Sequence, residues 1–151
     1  MSAPAKDTLG LLLERAESER DTAAQVLHAA CSQAQAARAQ HGELSGYRQD
    51  YQQRWTDSFT QSATMDIVGC YQSFGQRLNQ AVDTQGRVAQ HADQRQDRAR
   101  EALRLAELRV AALRQLIARR QAEAAKLDQR REQRANDEFA ARAHLRRMAH
   151  A

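Results

Sequence analysis

The chain has 151 residues and a formal net charge of +4, with 28% charged and 5% aromatic side chains. A compact interior needs bulky apolar groups to reach packing density, and a chain dominated by Ala, Arg and Gln excludes a β-sandwich or an α/β globule. Ala, Leu, Arg, Gln and Glu favour helix, so the composition predicts an all-α protein that buries its apolar surface between long helices.

The first residues, Met1 to Lys6, lack the apolar run of a secretory signal. No stretch approaches the roughly 20 apolar residues of a membrane span, and the expected location is the cytoplasm. From Leu9 the spacings of three and four that coiled-coil packing needs run through Leu9, Leu13, Ala16, Arg20, Ala23, Leu27, Ala30, Ala34, Ala37, His41, Leu44, Arg48, Tyr51 and Trp55. Eleven of these 14 positions are apolar, and the bulky ones fall in frame, which predicts a first helix over about 6–56.

Thr56 to Asp66 follows, rich in Ser, Thr and Asp, residues that compete with the helical backbone for hydrogen bonds. It predicts a turn over about 57–65, with Ser62 or Thr64 as the N-cap of the next helix. So short a link favours an antiparallel return.

A second stripe runs Ile67, Tyr71, Phe74, Leu78, Ala81, Gln85, Val88, Ala92, Arg95, Ala99, then Leu103, Ala106, Val110, Leu113 and Ile117. The two steps of four around Ala99 make a stutter, which locally unwinds a supercoil. The second helix is expected over about 66–147, on the order of 120 Å at 1.5 Å per residue. Reversing one stripe onto the other pairs Tyr51 with Tyr71, Leu44 with Leu78, Ala34 with Val88 and Leu9 with Leu113. The fold class is thus an all-α, long antiparallel two-helix coiled-coil hairpin forming a single domain over 1–151, with a C-terminal overhang beyond about 113.

Six of the seven aromatic residues cluster around the turn: Tyr47, Tyr51, Trp55, Phe59, Tyr71 and Phe74. Aromatics are frequent interface hot spots. Those in frame also suit plugging the end of the hairpin, whereas Tyr47 lies one position off the stripe and is a binding candidate. Gly42, Gly46, Gly69, Gly75 and Gly86 lie in the same half; either this end is soft or close helix approach requires them. Residues 1–60 carry a net charge of −2 and residues 61–151 a net +6. Arg114 to Arg147 holds ten basic and five acidic residues, a segment suited to an acidic protein surface or to a solvated face with intrahelical charge pairs such as Glu123 with Lys126.

No phosphate loop, His-Glu-x-x-His or Cys-x-x-Cys is present. Cys31 and Cys70 fit neither a disulfide framework nor a metal spacing, and the five His residues lack clustered carboxylates. A two-helix hairpin offers no concave pocket for a substrate. The expectation is a non-enzymatic protein with no cofactor and no metal.

Tyr47-x-x-x-Tyr51 before the turn, Tyr71-Gln72-x-Phe74-x-x-x-Leu78-x-x-Ala81 after it, and Asp137-Glu138-Phe139-Ala140-x-Arg142-Ala143 near the end occur in that order. In these motifs the chain resembles, over essentially its full length, the FliJ family of the bacterial flagellar type III export apparatus. The resemblance implies a hairpin similar to the stalk of rotary ATPases. It also implies that the helical ends promote assembly and activity of the flagellar export ATPase, that the protein docks on the cytoplasmic domain of the export gate, and that it handles export chaperones. Membrane association would then be peripheral, through the gate. The family's gate-binding patch maps onto Gln40, Leu44, Tyr47, Tyr51, Phe74, Leu78 and Ala81, while the next patch position, often His in the family, is Gln85. Three alternatives compete: the equivalent stalk of a virulence type III secretion system, a homodimeric coiled-coil scaffold, and a nucleic-acid binder. The acidic residues interspersed along the second helix argue against the last, so no nucleic-acid partner is expected.

Overall fold

A computed structural model describes residues 3–59 and 64–150, with side chains described over 8–58 and 64–150. It contains two helices, α1 (Ala3–Phe59) and α2 (Met65–Ala149), and no strand among the described residues. The fold is the all-α helical hairpin that the periodicity predicts.

α1 continues three residues beyond about 56, through Thr56-Asp57-Ser58, to Phe59. The Thr56 hydroxyl bonds back to the Gln52 carbonyl at 2.9 Å, which keeps a turn-favouring residue inside the helix. At the start of α2 the Val68 amide donates to the Thr64 carbonyl at 3.1 Å, so Thr64 occupies the N-cap position of the backbone. The other N-cap candidate, Ser62, lies outside the described residues.

The chain divides into two compact units, residues 19–106 and residues 3–18 with 107–150. In the first, alanines form the core: Ala34, Ala37, Ala89 and Ala92 make one buried cluster, with Ala34 fully buried. Ala30, Val82, Gln96 and Ala99 extend it. Tyr51 against Gly75, His41 against Gly86, and Cys31 against Gln96 trace an antiparallel path through this unit. In the second unit Ala16 and Val110 are buried, Leu9, Leu13, Leu113 and Ile117 are half-buried, and Arg114 pairs with Glu17 at 3.2 Å.

Every position of the predicted α1 stripe is buried or half-buried. The α2 stripe requires correction. Phe74, Val88 and Arg95 are exposed, and Ala81 is half-buried while its neighbour Val82 is buried. The buried line is Tyr71, Gly75, Leu78, Val82, Gln85, Ala89, Ala92, Gln96, Ala99, Leu103, Ala106, Val110, Leu113 and Ile117. Its steps alternate four and three without interruption, so the expected stutter does not exist. Ala34 now faces Ala92 rather than Val88, and Tyr51 lies level with Gly75 while still touching Tyr71, a shift of about half a heptad along α2. The shift has a steric cause. Helices meeting through Ala approach toward the short end of the usual 8–10 Å interaxial range, and only small residues fit at that distance, which turns Val88 to the border; beside Phe74 the seam is already filled by the Tyr51 ring, 4.9 Å away. A Cβ on Gly86 would lie 3.3 Å from the His41 ring, tighter than ordinary contact, so Gly86 serves close approach; one on Gly75 would meet the Tyr51 ring at an ordinary 3.5 Å. Gly42, Gly46 and Gly69 meet nothing within 4 Å.

Gln96 is the polar member of this core. Its side-chain amide donates to Cys31 Sγ at 3.1 Å and its carbonyl oxygen accepts from Arg38 Nη2 at 3.2 Å. Arg38 also pairs with Asp93 at 3.0 Å. Gln85 likewise donates to Gln40 Oε1 at 3.1 Å and to the Ala37 carbonyl at 3.4 Å. A buried polar residue satisfied from the opposite helix favours one register over its neighbours.

Candidate functional site

The corrected seam gives residues 19–106 two unlike borders. On one border lie Cys31, Arg38, Asp93 and Arg100, a polar edge that carries the Arg38–Asp93 pair. The position just before each seam residue of the Leu13 type on α1, and of the Gly75 type on α2, makes the opposite border. It carries Val26, Gln33, Gln40, Tyr47 and Arg54 from α1, and Ile67, Phe74, Ala81, Val88 and Arg95 from α2. Of the seven exposed large hydrophobic residues in this unit, Val26, Tyr47, Ile67, Phe74 and Val88 lie on this border, and Met65 and Leu105 lie elsewhere. Its apolar character is therefore concentrated rather than scattered.

The predicted patch falls entirely along that border. Gln40, Tyr47, Phe74 and Ala81 are border positions, and Leu44, Tyr51 and Leu78 are the half-buried seam residues beside them. Tyr47 is 66% exposed and Phe74 is 52% exposed. With Tyr51 and Leu78 they line a groove of about 390 Å³, whose remaining walls are Asp50 and Arg54. Sequence reasoning misses those two. Arg54 is recoverable from it, being one heptad after Tyr47. Gln40, bonded to Gln85, lies outside the groove, as do Leu44 and Ala81.

Tyr51 organises the groove. Its hydroxyl donates to the Tyr71 carbonyl at 2.7 Å, and its ring stands 4.9 Å from Phe74 and 5.5 Å from Tyr71. Burial, followed by the neighbouring Tyr71 and Cys70, pushes the Tyr51 phenol above its ordinary pKa. Trp55 packs edge-on to Tyr71 at 5.0 Å and faces a separate groove of about 430 Å³ with Gln52, Gln72 and Gln76. A network of tilted and edge-on rings fixes Tyr51 and Tyr71 as structure and leaves Tyr47 and the outer part of Phe74 available to a partner.

The groove holds aromatic carbon, one guanidinium and one carboxylate on a solvent-open surface. Among the described residues no three His, Cys, Asp or Glu side chains converge as a metal site requires, and both cysteines are free. Among the described residues no helix is long and apolar enough to cross a membrane.

The family model for the flagellar FliJ protein matches residues 5–149. The chain belongs to the FliJ family. It is a flagellar export-related protein, and the family is a non-enzymatic component of that export system. No curated protein and no solved structure gives a significant match.

Within this FliJ family member, α2 beyond Ile117 is exposed at nearly every position, with Ala124 and Ala143 half-buried. Phe139 of the motif over residues 137–143 is 76% exposed, and Leu127, Leu145 and Met148 are exposed as well. Among the described residues of Arg114–Arg147, Arg114 is the basic residue that makes an ion pair; the alternative pairing of Glu123 with Lys126 does not occur.

Proposed function

We propose that this FliJ family member is a stalk and coupling protein of the flagellar export machine, acting through two separate contacts. One is the Tyr47–Phe74 groove, which docks on the cytoplasmic domain of the export gate. The other is the C-terminal part of α2, which engages the export ATPase, promotes its assembly and raises its activity. The protein also handles export chaperones. It is cytoplasmic and reaches the membrane peripherally, through the gate.

The observation that carries the gate contact is the exposure of Tyr47 and Phe74, side by side, above an anchored Tyr51. Large, rigid rings that lose little freedom on binding supply contact area at low entropic cost. Arg54 and Asp50 at the groove wall would set orientation through polar contacts. For the ATPase contact, the support is a stretch of α2 with unpaired arginines and an exposed Phe139. Such a surface complements an acidic partner that also offers apolar contact.

Titration calorimetry with the purified gate domain tests the first contact. Tyr47→Ala or Phe74→Ala should weaken binding while far-ultraviolet circular dichroism stays unchanged. Undiminished binding by both variants would remove the gate assignment. Steady-state hydrolysis by the export ATPase, with and without the chain, tests the second.

A further inference from the structure

The apolar border that contains the Tyr47–Phe74 groove holds a second groove further along the hairpin. Its floor is Ala30 and Ala99, both buried, and its walls are Val26, Gln33, Arg95 and Arg98. Its volume is about 390 Å³. Val26 lies 21 residues before Tyr47, about 30 Å along a helix, so an occupant here does not touch the aromatic groove.

Two features of this groove combine. Val26, an exposed β-branched residue at 53%, stands beside a floor of methyl groups, the kind of surface against which a third helix can pack. Among the described residues, Arg95 and Arg98 find no hydrogen-bond or ion-pair partner. Several arginines around them are paired: Arg38 is held by Asp93 and Gln96, Arg100 by Asp97, and Arg104 by Glu101 at 2.6 Å. Two unpaired guanidiniums on the rim of an alanine-floored groove are complementary to carboxylates that flank an apolar helix face.

We propose that this groove docks an amphipathic helix from a partner protein, with small or aliphatic residues on its apolar face and Glu or Asp at the borders facing Arg95 and Arg98. Such a helix would add a third strand to the coil at residues 26–33 and 95–99. The inference stands independently of the gate contact.

Fluorescence anisotropy with two labelled synthetic helices tests it on the full chain. Both probes are about 28 residues, four heptads, with Leu and Ala on one face; one carries Glu at the borders and the other Lys. The Glu helix should bind at least tenfold more tightly than the Lys helix, and its affinity should fall as salt rises. The double variant Arg95→Glu, Arg98→Glu should lose or invert that preference, and Val26→Asp should weaken both probes. Tyr47→Ala should leave binding of the Glu helix unchanged. Equal affinity for the two probes, a preference that survives the double arginine reversal, or loss of binding in Tyr47→Ala would overturn the proposal. So would a dimer of the full chain, seen in sedimentation, that Val26→Asp dissociates, because the occupant would then be a second copy. Should Val26→Asp lose helicity, the arginine reversal, made on exposed side chains, decides alone.

Discussion

Val82 and Val88 allow one chemical change to be made twice on the same helix, six residues apart, at positions the seam separates. Val82 is 3% exposed and Val88 is 43% exposed. Replacing Val by Ala removes two carbons, worth about 1.6 kcal/mol where burial is complete at ~0.8 kcal/mol per group. The cavity left in the seam at Val82 raises this to about 2 kcal/mol. At Val88 roughly half of the transfer cost applies, about 0.9 kcal/mol, and solvent fills the space. Each variant regains up to about 0.7 kcal/mol of helix propensity, a gain that cancels in the comparison. Val82→Ala should therefore be less stable than Val88→Ala by about 1 kcal/mol. Urea unfolding followed at 222 nm measures the difference, which in a chain of this size corresponds to roughly 2–4 °C in Tm. A Val88→Ala variant that loses as much stability as Val82→Ala, or more, would refute the corrected seam.

Tyr47→Ala or Phe74→Ala should each weaken gate-domain binding about tenfold or more, the scale of a hot-spot truncation, as read by calorimetry. Truncation after Ile117, beyond which α2 is exposed at nearly every position, should abolish stimulation of the export ATPase and leave gate binding intact; persistent stimulation would place that contact elsewhere. Tyr51 has a raised folded-state pKa, so its contribution is complete below the unfolded value of about 10 and is lost as pH climbs through the folded value. Urea midpoints should accordingly fall above pH ~10, and Tyr51→Phe should flatten that fall while costing about 1 kcal/mol at neutral pH through the lost bond to Tyr71. Gln96→Leu should hold or raise stability yet broaden the distances between spin labels on exposed sites of α1 and α2, since a seam polar group specifies register at some cost in stability; an unbroadened distribution would count against that role.

Much of the hairpin is legible in the amino-acid sequence. In α1 the stripe from Leu9 to Trp55 is right at each position, because leucines, alanines and the terminal aromatics all fall on one face. In α2 the same procedure follows bulk, choosing Phe74 over Gly75 and Val88 over Ala89. Tyr71, Leu78, Gln85, Ala92 and Ala99 belong to both frames, so the misreading hides in alternate positions. The stutter is its symptom. An unbroken alternation read backward from Leu103 passes through Gln96, Ala89, Val82 and Gly75, the line that is in fact buried. Of the groove's lining, Tyr47, Tyr51, Phe74 and Leu78 are carried by family motifs, which do not depend on the frame; Asp50 and Arg54, which no motif carries, emerge only as walls of the groove.

Sequence by itself determined the helical fold, the family and the heptad period, since propensity and periodicity are local properties that the backbone expresses without a partner. The tertiary structure decided which of two adjacent residues faces the seam, and with it the register and the apolar border. That choice depends on what the opposite helix presents. An alanine seam draws the helices close, admits Ala89 and Ala92 and turns Val88 outward, while the Tyr51 ring packs over Gly75 and leaves Phe74 at the border. Gln96 becomes tolerable inside only because Cys31 and Arg38 reach it from the other helix.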